Sequence, residues 1–347
     1  MSRIRFFDAT LRDGSHAIKH QLTQKIIAEY CAEMDNVGMY TIVVGHGNGL
    51  GASSLQVGLS KLTDEEMLLT ARKHLKHTKL GVYMIPGFGT IKDNLIPAIN
   101  IGVDLFKIGC HCTEADTTRQ HIEFLRNKQK EVYGILMNYH MTSTDRLLEE
   151  AQKMQSYGAQ GVILMDSAGA STPELVKKTI ATLVDHLYVL VGFHPHNNMG
   201  LAVANAYIAI QEGARIIDGT LRGFGAGAGN VQLEALSALL TKEGYELNQN
   251  LYAMMDTSEG LIKQTMKEDR ALTDVSIVSG MAGVFSSFKT QVLAAAKEFN
   301  VDPRDIFLEL GKLKVVGGQE DMVVAVAEKL SHPADKDVET YMLESLS

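Results

Sequence analysis

Gly161-Val-Ile-Leu-Met-Asp166 and Tyr188-Val-Leu-Val-Gly-Phe-His194 are the two runs whose reading decides the fold. Each is short and almost continuously apolar, the pattern of a parallel strand covered on both faces. Between them, Thr172-Pro173-Glu174 marks a helix start with Pro at its first position. Ahead of them, Leu147, Leu148, Ala151 and Met154 recur at helical spacing. The segment reads helix, strand, helix, strand.

The alternation continues outward. Strands are predicted at residues 4–8, 41–45, 79–84, 105–109, 132–138, 161–166, 188–194 and 215–219. Ile26, Ile27, Tyr30, Cys31 and Met34 share one helical face, with Thr23 as N-cap. Eight strand–helix units in this order fit a closed (β/α)8 TIM barrel better than an open sheet. From about residue 258 the pattern is helical only. Residues 281–299 are mostly apolar and read as helix, and Asp302-Pro303-Arg304-Asp305 is a capped helix start. Gly317-Gly318 breaks the chain and residues 320–330 read as a last helix. The expected organisation is an α/β chain, with a TIM barrel over residues 1–258 and a small C-terminal helical domain over 259–347.

Composition narrows the function. A chain of 347 residues, 45% of them apolar, supplies a large core and argues against long disorder. A net charge of -8 and a pI of about 5.8 lack the basic excess of a nucleic-acid surface. No apolar run is long enough to span a bilayer, and Met1-Ser-Arg-Ile-Arg5 carries no hydrophobic signal core. Cys31, Cys110 and Cys112 do not make a disulfide framework, so a cytoplasmic setting is expected.

Chemistry in such a barrel collects at the C-terminal ends of the strands. The first strand leads into Arg12-Asp13-Gly-Ser-His16, and the seventh ends in His194-Pro-His196. His194 and His196 are two apart on an extended chain, so both imidazoles point to one side. With Asp13, taken to follow a neighbouring strand, they make a compact divalent-metal site. The other reading of the pair is two histidines hydrogen-bonded at a strand end. Arg12 can hold a carboxylate or enolate oxygen, or can form an ion pair with Asp13 that only shapes the loop. His16 is suited to proton transfer. Other strand ends offer His46 and His140. Cys110-His111-Cys112 lacks the second pair of a structural zinc site and reads as pocket wall. Asp166 reads as a supporting group behind the site. Gly225-Ala-Gly-Ala-Gly229-Asn230 has neither dinucleotide nor P-loop spacing and reads as a close-packed turn facing the pocket.

Asp8-Ala-Thr-Leu-Arg-Asp-Gly-Ser-His-Ala-Ile-Lys-His-Gln21 closely resembles the N-terminal signature of bacterial 4-hydroxy-2-oxovalerate aldolases. These belong to a wider pyruvate-lyase group with hydroxymethylglutaryl-CoA lyase and isopropylmalate synthase. His111–Asp116, Gly192–Asn197 and Gly225–Asn230 resemble the same family, so the matches span residues 8 to about 290. The resemblance implies retro-aldol cleavage of a 4-hydroxy-2-oxo acid to pyruvate and an aldehyde such as acetaldehyde, in aromatic hydrocarbon catabolism. It implies Asp13, His194 and His196 as ligands of a divalent metal, manganese. Arg12 would steady the pyruvate enolate, His16 would be the base, and Arg12, Ser167 and Phe285 would contact substrate. The helical region would dock an acylating acetaldehyde dehydrogenase. One departure stands out: the family usually has tyrosine where this chain has Phe285. That removes a phenolic hydroxyl and bears on substrate, stereochemistry and partner. The competing readings are an acetyl-CoA-using condensing enzyme, a hydroxymethylglutaryl-CoA-lyase-like lyase, and a weakly catalytic subunit that binds a dehydrogenase.

Overall fold

All eight expected strands form, and they close on themselves. The computed structural model describes residues 3–266 and 271–332. Its strands are β1 (Arg5–Asp8), β2 (Thr41–Val43), β3 (Lys79–Met84), β4 (Leu105–His111), β5 (Glu131–Met137), β6 (Gly161–Asp166), β7 (Leu190–Pro195) and β8 (Ile216–Gly219). They pair in parallel and in chain order, and β8 pairs with β1, which makes the (β/α)8 barrel.

Strand alternation sorts the side chains into two layers. Phe7, Val43, Tyr83, Leu105, Tyr133, Ile135, Ile163, Met165 and Ile216 fill the interior. Phe6, Ile42, Val82, Phe106, Val132, Val162 and Ile217 face outward and pack with the helices. The expected caps are present: Thr23 accepts from the Ile26 amide, Thr172 from Leu175 and Asp302 from Arg304. At the strand starts a polar plug closes the lower mouth. Tyr40 donates to Glu131 at 2.5 Å, Arg5 donates to Tyr133 at 2.7 Å, and Lys79 pairs with Glu131. That leaves the upper mouth for chemistry.

Some boundaries differ from expectation. β7 starts at Leu190, because Tyr188 lies outside the sheet, 97% exposed, with its amide donated to Gln155. β4 runs two residues further, to His111. Residues 281–299 are not one helix. A helix ends at Ala282 with Gly283 in the left-handed region (φ 70°), and a new one spans Lys289–Phe299. Glycine takes that cap without a steric penalty.

Val275, Phe288, Val292, Ile306, Phe307, Leu310 and Val323 form a separate helical core, whereas Ile262 and Met266 pack into the barrel's core. Met1, Ser2, residues 267–270 and residues 333–347, the end of the expected second domain, lie outside the described residues. Among the described residues no helix is long and apolar enough to cross a membrane.

Candidate active site

At the upper mouth the ligand-type side chains and their supports come from the end of β7 and the loops leaving β1, β7 and β8. Asp8, at the end of β1, is fully buried and accepts from the Thr10 amide at 2.9 Å and the Tyr30 hydroxyl at 2.6 Å. Burial pushes its carboxyl up to about 6, against those hydrogen bonds. Thr10 Oγ1 accepts from the Leu221 amide at 2.9 Å, which ties the β1 loop to the β8 loop. The expected adjacency of the first and seventh strands does not hold, since β8 lies between them. Asp13 reaches the end of β7 because its loop folds over β8.

Asp13, His194 and His196 meet there. One ligand-type atom from each lies within 4.8 Å of the others, and all three residues are buried. The two imidazole centroids are 5.2 Å apart, as the two-residue spacing requires. Asp13 Oδ1 accepts from Asn230 Nδ2 at 2.8 Å and from the Ala226 amide at 3.4 Å. Its Oδ2 pairs with Arg12 Nη1 at 2.7 Å and lies 3.9 Å from His194 Nε2. A side chain at Gly225 would fall on Asn230 and Asp13, so this close approach needs glycine. The glycine loop thus grips a carboxylate of the protein itself.

Burial pushes the Asp13 carboxyl up, but Arg12, then His196, His16 and His194, outweigh it and hold it well below the usual carboxylate range. Burial lowers His196 to about 4 even against Asp13. Asp13 is therefore ionised and His196 neutral at pH 7, the forms that ligate metal. His194 Nε2 and His196 Nδ1 are buried without a hydrogen-bond partner among the described residues. Two imidazoles with unpartnered buried nitrogens, converging with one ionised carboxylate, fit a divalent cation.

A cavity opens beside these three residues. Arg12, Asp13, His16, Ser167 and His196 form its polar side, and Tyr83, Ile85, Met137 and Met165 its apolar side. The Arg12 guanidinium lies 4.8 Å from the Tyr83 ring centroid, and its Nη1 also donates to the Gly47 carbonyl at 3.2 Å. Its Nε and Nη2 are buried and unpartnered among the described residues. Ser167 Oγ is buried and equally unpartnered. His16 stands against Gly47, where a Cβ would strike its ring. Burial lowers His16; Asp13 opposes this and Arg12 adds to it. Phe285 closes the cavity and also packs on the helical core. Asn198 Nδ2 donates to Ser279 and Ser286 at 2.8 Å each, and His140 donates to the Gly283 carbonyl at 3.1 Å, pinning this wall to the barrel.

Residues 3–261 match the HMGL-like family and residues 270–332 the DmpG-like communication domain. A 4-hydroxy-2-oxovalerate aldolase of Pectobacterium atrosepticum is 51% identical over 97% of this chain and 98% of its own. One from Spirochaeta aurantia is 48% identical over 93% and 95%. The chain belongs to the 4-hydroxy-2-oxovalerate aldolase family. The carboxyl transferase domain of Rhizobium etli pyruvate carboxylase shares the fold, with TM-score 0.78 at 15% identity over 95% of this chain and 61% of that one.

Within this aldolase chain not every candidate reaches the site. Cys110 and Cys112 are not pocket wall, because both pack outward in the core under the helices. Burial pushes the Cys112 thiol up to about 12, which makes it inert. His46 is stacked on His20 at 3.6 Å and donates to the Gly58 carbonyl at 3.0 Å, so it shapes the β2 loop. Asp166 accepts from the Ala170 and Ser171 amides at 2.9 and 3.1 Å and holds its own loop. Sequence reasoning missed Tyr83 beneath Arg12, Asn230 on Asp13, and the buried pair Lys107–Asp218. The signal for the last was there: a lysine and an aspartate inside strands that are otherwise apolar.

Proposed function

We infer that this chain cleaves 4-hydroxy-2-oxo acids of the 4-hydroxy-2-oxovalerate type to pyruvate and an aldehyde such as acetaldehyde. The observation that carries the reading is the convergence of Asp13, His194 and His196 beside a cavity that also holds Arg12 and His16. Asp13, His194 and His196 would hold a divalent ion, which we assign as manganese. When bound, the ion supplies Lewis-acid polarisation of the 2-oxo group. Arg12 lines the cavity with its Nε and Nη2 unpartnered among the described residues, nitrogens suited to the substrate carboxylate and to the oxygen that gains charge as the C3–C4 bond breaks. His16 takes the proton of the C4 hydroxyl as the aldehyde forms. The electron pair of the broken bond goes to the pyruvate enolate, and a proton then returns to C3. Ser167 adds a hydrogen bond to substrate. The apolar side suits a short aldehyde.

The test is pyruvate release from a panel of 4-hydroxy-2-oxo acids, with and without manganese. Turnover of an acyl-CoA substrate in place of these acids would favour the condensing or hydroxymethylglutaryl-CoA-lyase-like readings. A chain inert with metal would favour a subunit that only binds a dehydrogenase. Residues 259–347 form the proposed docking domain for an acylating acetaldehyde dehydrogenase. Leu272, Ile277, Met281 and Leu313 there are 45–62% exposed, an apolar face of the kind partners cover. Absence of a dehydrogenase complex on mixing the two purified proteins would count against it. Three buried free cysteines support a cytoplasmic setting.

His16 gives a pH prediction. Its pKa is lowered from 6.5, so the neutral base is present at pH 7 and lysis falls as pH drops through a value below 6.5. His16→Ala is expected to lose about 10²–10⁴ in kcat and that acid limb with it. An unchanged pH profile would remove His16 from the role.

Phe285 gives a stereochemical one. Its ring lines the cavity but offers no donor, where the family resemblance expects tyrosine. A hydrogen bond to an uncharged group is worth roughly 0.5–1.5 kcal/mol, or about 2- to 13-fold in rate. Phe285→Tyr is expected to widen the kcat/KM ratio between the two C4 enantiomers by that factor. A ratio equal within error would leave Phe285 as a packing residue.

A further inference from the structure

Lys107 and Asp218 are both fully buried and form an ion pair inside the barrel, and neither lines the cavity. Two charges in a barrel interior cost more to desolvate than packed apolar residues would, so the pair calls for a use beyond stability. The position of Asp218 on β8 supplies one. β8 lies between β7 and β1, the two strands whose ends bring in His194 and Asp13. Asp218 Oδ2 lies 3.3 Å from His194 Nδ1, while His194 Nε2 faces Asp13 Oδ2 at 3.9 Å. The ring is thus set between two carboxylates, one below it in the core and one beside it at the mouth. Lys107 reaches the same Oδ2 from β4, across the barrel.

We propose that Asp218, fixed by Lys107, is a positioning residue that keeps the Nδ1–H tautomer of His194 and so presents the Nε2 lone pair to the divalent ion. A carboxylate behind a ligating imidazole fixes tautomer and orientation and makes the ligand more basic, and its loss costs 10- to 100-fold in metal affinity. Lys107 makes the arrangement one-way. An ammonium has only donors, so the atom that faces it must be an acceptor. Asp218 Oδ2 faces both the Lys107 ammonium and His194 Nδ1, so the ring nitrogen turned to it carries the proton. A leucine at 218 offers no acceptor: nothing then holds the proton on Nδ1, and the ring is free to take the Nε2–H tautomer, which has no lone pair for metal on that nitrogen. An asparagine keeps an acceptor, because its amide oxygen can take the Oδ2 position. Lys107 does not line the cavity, so it is not a candidate for imine chemistry with the substrate carbonyl.

This inference rests on the metal reading above, and the experiment separates the two. Manganese binding to the metal-free full-length chain is measured by calorimetry. If the unaltered protein binds no divalent ion, the metal reading fails. If it binds, Lys107→Met/Asp218→Leu, which removes the acceptor without leaving a buried unpaired ammonium, is expected to weaken binding 10- to 100-fold and to alter the visible spectrum of the cobalt-substituted protein, with near-UV circular dichroism unchanged. Lys107→Met/Asp218→Asn restores an acceptor for His194 Nδ1–H, so it is expected to regain most of the lost affinity. A rescue of this kind follows from the tautomer argument and not from loss of packing. Binding by Lys107→Met/Asp218→Leu within threefold of the unaltered chain overturns the proposal. Should neither variant fold, nitrogen NMR of the histidines in the unaltered metal-free protein decides it. Nδ1–H on His194 supports the proposal and Nε2–H overturns it.

Discussion

Replacing Arg12 by alanine is expected to lower kcat by about 10²–10³ while leaving the protein folded. The guanidinium is 2% exposed and does three things at once. Nη1 is spent on Asp13 and the Gly47 carbonyl, the planar face lies over Tyr83, and Nε and Nη2 remain unpartnered in the cavity. The first two contacts fix where the last two donors point. Removing a donor fixed in advance at the site of developing charge costs about 10²–10³ in kcat, because no reorganisation is needed as charge moves. Arg12→Lys keeps the charge but loses the planar fork and the stacking on Tyr83, so it is expected to fall between the two. Pyruvate release under saturating substrate measures this. Arg12 makes a strong ion pair with Asp13, so an effect on metal affinity has to be separated from one on the reaction. Removing a cation beside the site does not weaken metal binding on electrostatic grounds. The variant should therefore bind manganese at least as tightly as the unaltered chain. A kcat within about threefold of the original would return Arg12 to shaping the loop.

The barrel was legible because parallel buried strands leave a local trace. Val162–Met165 and Leu190–Val191 are apolar on both faces since one face meets the barrel interior and the other the helices. Strand ends were less legible. Tyr188 is as β-prone as Val189, and only three-dimensional packing leaves it outside the sheet. The ligand-type residues could be read because two histidines at strand spacing must point together. Their supports could not. Asn230 acts from the loop after β8 and Asp218 meets Lys107 across the barrel, at separations of 217 residues from Asp13 and 111 from Lys107, and no periodicity reports such a distance. Cys110 misled for a related reason. It sits at a strand end, but alternation along β4 turns it outward, one position out of phase with Lys107 and Gly109. The break at Gly283 was hidden by apolar residues on both sides, which composition alone reads as one helix.

Asp13→Asn is expected to abolish metal-dependent lysis, with a loss of about 10³-fold or more that excess manganese does not restore. Asp13 supplies the only carboxylate of the cluster, and Arg12 sets a positive charge against it, so the cation's attraction depends on that one negative charge. The substitution also creates a donor conflict. Asn230 Nδ2 and the Ala226 amide both point at Oδ1, and Arg12 points at Oδ2, so every neighbour is a donor. An amide must set its NH2 against one of these sets. Loss of Lewis-acid stabilisation is worth several kcal/mol, and each 1.36 kcal/mol is a factor of ten in rate. Treating the unaltered chain with a chelator should give the same loss, reversed by adding the ion back. The pH behaviour follows from the same residues. Asp13 is held well below its usual value and His196 is lowered to about 4, so neither needs to release a proton when metal binds near pH 7. Both lose the ligating form only as pH falls through those lowered values, so metal loss from these two belongs to acid near or below pH 4. Full activity of Asp13→Asn in the presence of chelator would sink the metal assignment and the mechanism built on it.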